Sequence, residues 1–114
     1  MRIKLTRLWL TALSIVMLGG LGASISSAAE TPDPTKIVVK DFMFMPTSLT
    51  VKAGSTVTWV NMDEEPHTVV SNTQMFRSGA LDTKETFSFK FNEPGTYHFT
   101  CSIHPRMVGT IVVQ

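Results

Sequence analysis

Apolar and polar residues alternate with a period of two along much of the chain, most sharply where aromatic side chains carry the pattern. Phe87, Phe89 and Phe91 are separated by Ser88 and Lys90, and Val57 and Trp59 alternate with Thr56 and Thr58. Successive side chains of a strand point to opposite faces, so each series defines one buried face and one solvent face. Tyr97, Phe99 and Cys101 share a face by the same rule, which aims the thiol inward at the end of its strand. His98 lies at an odd offset from Cys101, on the outer face, and is read as a surface histidine with no ligand role. Segments rich in Val, Thr, Phe and Trp predict strands over 36–40, 49–52, 56–61, 68–71, 86–91, 96–101 and 110–113. Turns are expected at Ala53-Gly54-Ser55 and Asn92-Glu93-Pro94-Gly95, and the spacing predicts an all-β sandwich or barrel.

Two stretches give weaker signals. Phe42-Met43-Phe44-Met45 alternates like a strand, with the two Phe on one side and the two Met on the other. Thioethers select Cu(I), but paired methionines are more often ordinary packing, so no second site is assigned there. Residues 72–83 lack periodicity and predict a loop with a short helical turn, with Met75 and Phe76 packed under it.

The N-terminus has a different character. Arg2, Lys4 and Arg7 precede an almost wholly apolar run from Leu8 to Leu18, and Ser27-Ala28-Ala29 offers a cleavage site before Glu30. This is the layout of a secretory signal helix, residues 1–29, followed by a flexible leader, residues 30–35, and one domain, residues 36–114. An uncleaved signal would be long enough to serve as a membrane anchor. Without the signal, seven Lys and Arg face nine Asp and Glu, a net charge of −2. That balance is too weak and of the wrong sign for nucleic acid binding.

Candidate chemistry centres on the single cysteine. Cys101-Ser102-Ile103-His104-Pro105-Arg106-Met107 sets thiolate, imidazole and thioether at equal three-residue steps, inside one loop between two strand-like runs. Of three histidines in the chain, His67 in Glu65-Pro66-His67-Thr68 is the candidate for a second imidazole. A trigonal set of two His and one Cys with a weak axial Met favours copper. An exported chain with one cysteine makes no internal disulfide, and a metal bond would protect the sulfur from oxidation. Four protein ligands leave no open position for substrate, and nothing orients a Cys–His pair for thiol catalysis, so no enzyme activity is expected.

With these residues in view, residues 36–114 resemble the cupredoxins, the small blue copper proteins, and most closely their amicyanin branch near plastocyanin. The likeness rests on Leu49-Thr50-Val51-Lys52-Ala53-Gly54, Thr56-Val57-Thr58-Trp59-Val60-Asn61, Pro66-His67, and Pro94-Gly95-Thr96-Tyr97-His98-Phe99-Thr100-Cys101, with two residues between Cys and His and two between His and Met. The resemblance implies a Greek-key β-sandwich with His67, Cys101, His104 and Met107 around one copper ion cycling between Cu(I) and Cu(II). It also implies an exported, periplasmic monomer that carries single electrons, by transient contacts near His104, from a donor dehydrogenase to a cytochrome or oxidase. Copper delivery is the alternative.

Asp63-Glu64-Glu65 and Arg106 are read either as charges that orient a partner or as solvated loop residues. The chain departs from the family pattern at two positions. Ile103 stands where proline is usual, restoring a backbone N–H expected to donate to the thiolate and raise the reduction potential. Thr68 stands where an asparagine commonly ties the two ligand loops together, and a hydroxyl spans less distance.

Overall fold

The computed structural model describes residues 19, 20, 22 and 31–114; the expected signal helix and its cleavage site lie outside the described residues. Eight strands follow in order: β1 (Lys36–Lys40), β2 (Met43–Met45), β3 (Ser48–Val51), β4 (Ser55–Asn61), β5 (Val70–Ser71), β6 (Thr86–Phe91), β7 (Gly95–Thr100) and β8 (Val108–Val113). They form two four-stranded sheets, β2-β1-β4-β6 and β3-β8-β7-β5, so the chain repeatedly crosses from one sheet to the other as a Greek-key sandwich does. The β1–β4 and β3–β8 pairs run parallel and the remaining pairs antiparallel.

The period-two reading locates the core. Ile37 and Val39 of β1, Phe44 of β2, Val57 and Trp59 of β4, Phe91 of β6, Phe99 of β7 and Ile111 and Val113 of β8 are all buried. Trp59 is central, with Phe99 edge-on at 5.4 Å and Phe76, Phe87 and Phe91 around it. His98 is exposed on the outer face, its Nδ1 3.1 Å from Thr110 Oγ1 across the β7–β8 pair. Gly54 takes a φ of +91° at the predicted Ala53-Gly54-Ser55 turn, a conformation that favours glycine.

Four expectations change. The segment after β5 has no helical turn; it turns and bends over residues 72–75 and then bridges back, His67 to Leu81 and Val70 to Arg77. Its backbone groups are committed to residues 67–70: Leu81 N donates to His67 O at 2.7 Å and Ser78 N to Val69 O at 2.8 Å. Phe76 packs inward, on Phe89 and Phe91, but Met75 is about half exposed because the inward position beside it is already filled. The predicted 68–71 strand shrinks to Val70–Ser71, since residues 67–69 pair with this returning segment. Finally, Phe42 does not share Phe44's face. Only Met43–Met45 is strand, with Phe44 buried and both Met exposed, and Phe42 lies outside it with φ 57°.

Gly109 lies under the Phe99 ring, and a Cβ there would overlap it. Phe99 is pinned between Phe44 at 4.8 Å and Trp59, so it has little room to move. Gly109→Ala is therefore expected to cost about 1–3 kcal/mol, as overpacked cores do. Urea unfolding of the apoprotein checks this: the midpoint should fall with the slope unchanged.

Candidate metal centre

The register of β5 on β7 sets the site. Val70 faces Thr100, and continuing the antiparallel count brings Val69 to Cys101 and Thr68 to Ser102. Cys101, one residue past β7, is fully buried, and the returning segment 77–81 holds His67 beside it. His104 arrives by a tight loop closed by Met107 N to His104 O at 2.9 Å and Cys101 N to Met107 O at 3.1 Å.

His67, Cys101 and His104 converge, their ligand atoms all within 4.8 Å of one another. Cys101 Sγ lies 3.8 Å from His67 Nδ1 and 3.7 Å from His104 Nδ1. Bond lengths of about 2.3 Å to a thiolate and about 2.0 Å to an imidazole, meeting at about 120°, give a spacing of about 3.7 Å. Both imidazoles thus stand where a trigonal metal would need them, and the donor set fits copper. Met107, the fourth predicted residue, is buried in the same loop.

Burial raises the Cys101 pKa, but the Thr68 amide, the His104 ring, the Thr68 hydroxyl and the His104 amide, all placed toward the sulfur, outweigh it, leaving the thiol below its ordinary value. The Thr68 amide is 3.3 Å from Sγ. The Ile103 amide makes no such bond among the described residues: the nearest amide donor is Thr68 on the opposite loop, the weaker one is His104 beside Ile103, and the Ile103 side chain is half exposed. Thr68 also ties the loops despite its short reach, because Ser102 N donates to Thr68 Oγ1 at 2.8 Å.

Two participants were not identified in the sequence. Asp63, read as a surface charge, is buried, and its Oδ2 lies 2.8 Å from His67 Nε2. That bond fixes the proton on Nε2 and turns the Nδ1 lone pair toward Cys101. Glu64 and Glu65 are exposed, as expected of solvated loop charges. The same Asp63 carboxylate accepts the amides of Asp41 at 2.7 Å and Phe42 at 3.0 Å, where both residues have positive φ. Phe42 consequently lays its ring edge-on to His67 at 5.2 Å and to His104 at 5.0 Å. With Ile103, half-buried His104, Pro105, Arg106 and Met107, it lines a shallow depression of about 440 Å³ over the site. An acidic residue four positions before a candidate histidine was the one available sign of Asp63; nothing local marked Phe42.

Burial raises the Asp63 pKa, but the donors from Phe42, Asp41 and His67 win and hold it below the usual carboxylate value. A carboxylate depressed in the folded state contributes stability that is fully present above its unfolded value and is lost as pH falls through the folded value. Asp63→Asn should therefore lower apoprotein stability at neutral pH by about 1–3 kcal/mol, with the deficit shrinking below about pH 4. It should also weaken copper binding about 10- to 100-fold, as loss of a histidine's outer partner does. Urea titrations at several pH values and competition with a copper chelator read the two effects.

Comparison with known proteins agrees with this geometry. Residues 10–113 match the family model of the Cupredoxin-like domain. The chain is 34% identical to amicyanin-alpha of Methylorubrum extorquens over 80% of its own length and 82% of that protein's. It is 41% identical to plastocyanin of Scenedesmus fuscus over 63% of this chain and 87% of that one. The solved structure of the Cu(I) form of an amicyanin mutant superposes with a TM-score of 0.66 at 32% identity, covering 75% of this chain and 88% of the other. By sequence, by fold and by the convergence of thiolate and imidazoles at one end of the sandwich, the chain belongs to the cupredoxins.

Proposed function

We propose that this protein is an exported type 1 copper protein that carries single electrons between redox partners, with His67, Cys101, His104 and Met107 as the metal ligands. The observation that carries the reading is the near-equal spacing of Cys101 Sγ from the two Nδ1 atoms, with the thiol and His67 fully buried and His104 half-buried beside them. Copper would supply the one-electron couple. The chain's own residues would hold its surroundings nearly constant: Asp63 orients His67, the Thr68–Ser102 contact joins the two loops, and Phe42 leans on both rings.

His104 is the half-buried member of the set and lies within the apolar depression of Phe42, Ile103 and Pro105, which suits brief contacts with a donor dehydrogenase and an acceptor cytochrome or oxidase. Amicyanin and plastocyanin are electron carriers and not enzymes, and a site with four protein donors keeps no position for substrate. In this reading residues 1–29 are the export signal, 30–35 a leader and 36–114 the copper domain, working as a periplasmic monomer.

Cupric salt added to residues 30–114 should give an intense red-region absorption band, and voltammetry a reversible one-electron wave. Cys101→Ser should abolish the band. A colourless wild type, or colour that survives the substitution, refutes the reading; copper lost readily to an apo-acceptor without reversible cycling would favour delivery.

A further inference from the structure

Each ligand loop presents a hydroxyl directly after its innermost metal-facing residue, Thr68 after His67 and Ser102 after Cys101, and the two hydroxyls meet. Thr68 Oγ1 lies 2.8 Å from Ser102 Oγ, accepts the Ser102 amide at 2.8 Å, and stands 3.7 Å from Cys101 Sγ. A hydroxyl has two acceptor lone pairs and one proton. The Ser102 amide occupies one lone pair of Thr68 Oγ1. The other lone pair and the proton remain to be divided between Ser102 Oγ and Cys101 Sγ.

Only one arrangement uses all of them. The Ser102 hydroxyl donates to Thr68 Oγ1, and Thr68 donates its proton to the sulfur. In the reverse arrangement Thr68 gives its proton to Ser102 Oγ, and the sulfur loses a donor. The two are unequal in energy. A hydrogen bond to an ionised acceptor is about twice as strong as one between neutral groups. Thr68 is buried, whereas Ser102 is exposed and can satisfy its second lone pair with water.

We propose that Ser102 and Thr68 form a directional hydroxyl relay ending on Cys101 Sγ, which adds a hydroxyl donor to the backbone amides already facing the sulfur and thereby tunes the site's potential and colour. This rests on the copper-carrier reading above. Each proton aimed at the sulfur withdraws charge that the thiolate would otherwise give to Cu(II), so the relay favours Cu(I) and raises the energy of the thiolate-to-copper band. The Ser102 hydroxyl strengthens the Thr68 bond by polarising it. The chain thus withdraws charge from the sulfur chiefly through Thr68, where the sequence had suggested the Ile103 amide.

Two variants of the copper-loaded protein test this. Thr68→Val keeps the amide donor and the shape but removes the hydroxyl. It should shift the Cu(II)/Cu(I) balance toward Cu(II) by up to about tenfold, about 59 mV lower for one electron, and move the thiolate-to-copper band to longer wavelength. Thr68→Ser, which keeps the hydroxyl, should restore both. Ser102→Ala leaves the Ser102 amide bond and both Thr68 donors to the sulfur in place and strands no buried group. Under the relay it lowers the potential in the same direction by a smaller amount.

A rise in potential in Ser102→Ala overturns the proposal, because it means that the Thr68 proton points to Ser102 Oγ and has been released. No change in Ser102→Ala overturns it as well. If Thr68→Val fails to fold, the sign of the Ser102→Ala shift decides alone. A wild type with no thiolate-to-copper band refutes the carrier reading itself, whereas a normal band unmoved by the variants refutes only the relay.

Discussion

The site depends on a very short piece of β pairing, the register that sets Val70 of β5 opposite Thr100 of β7. Side chains alternate along a strand, so slipping this pair by one residue would turn Cys101 and Thr68 away from their partners and break the meeting of the two loops. Two paired residues are too few to hold a register alone. It is reinforced from both sides, by β8 along the full length of β7 and by the returning segment 77–81 against residues 67–70. The unpatterned stretch between β5 and β6 therefore does structural work: it supplies the edge against which His67 is fixed.

Asp63 links that edge to the other sheet. Its carboxylate accepts hydrogen bonds from His67 Nε2 and from the amides of Asp41 and Phe42, so one buried charge determines how His67 is turned and where the Phe42 ring lies. It and the Cys101 thiolate bring two negative charges to the site, a balance that suits a divalent ion better than a monovalent one. Hydrogen bonds to the sulfur act in the opposite sense. In the copper reading proposed above, carboxylate and sulfur donors would pull the potential in opposite directions, both from residues outside the four candidate ligands.

The Cys-His-Met loop motif and the sandwich were legible because both are local. Cys101, His104 and Met107 sit at fixed steps in one loop, and the buried faces of β4, β6 and β7 follow from period-two alternation. What escaped the sequence depends on distant contacts. Asp63 sits in an acidic triplet whose neighbours are exposed, and its burial follows only from the backbone amides of the β1–β2 turn that meet it. Phe42 fits a strand by alternation but is drawn out of it by that same carboxylate. The pairing of 77–81 with 67–70 has no apolar period, because it is built from backbone groups and the Ser78 hydroxyl, which accepts the Val69 amide at 2.7 Å.

The left-handed turn at Asp41 and Phe42 connects stability to function. Two consecutive residues other than glycine with φ of 52° and 57° are strained, at about 1–3 kcal/mol each. The two amide bonds to the buried Asp63 carboxylate are of the charge-assisted kind, worth about 1.5–3 kcal/mol each, so the turn is held near balance by the group that also orients His67. What this strain provides is position: relaxed into β2, Phe42 would leave both imidazoles uncovered on the side where the depression opens. A carrier that must keep one geometry through a change of charge benefits when its shielding ring and its histidine share a single anchor, since neither can shift without breaking bonds to the same buried carboxylate.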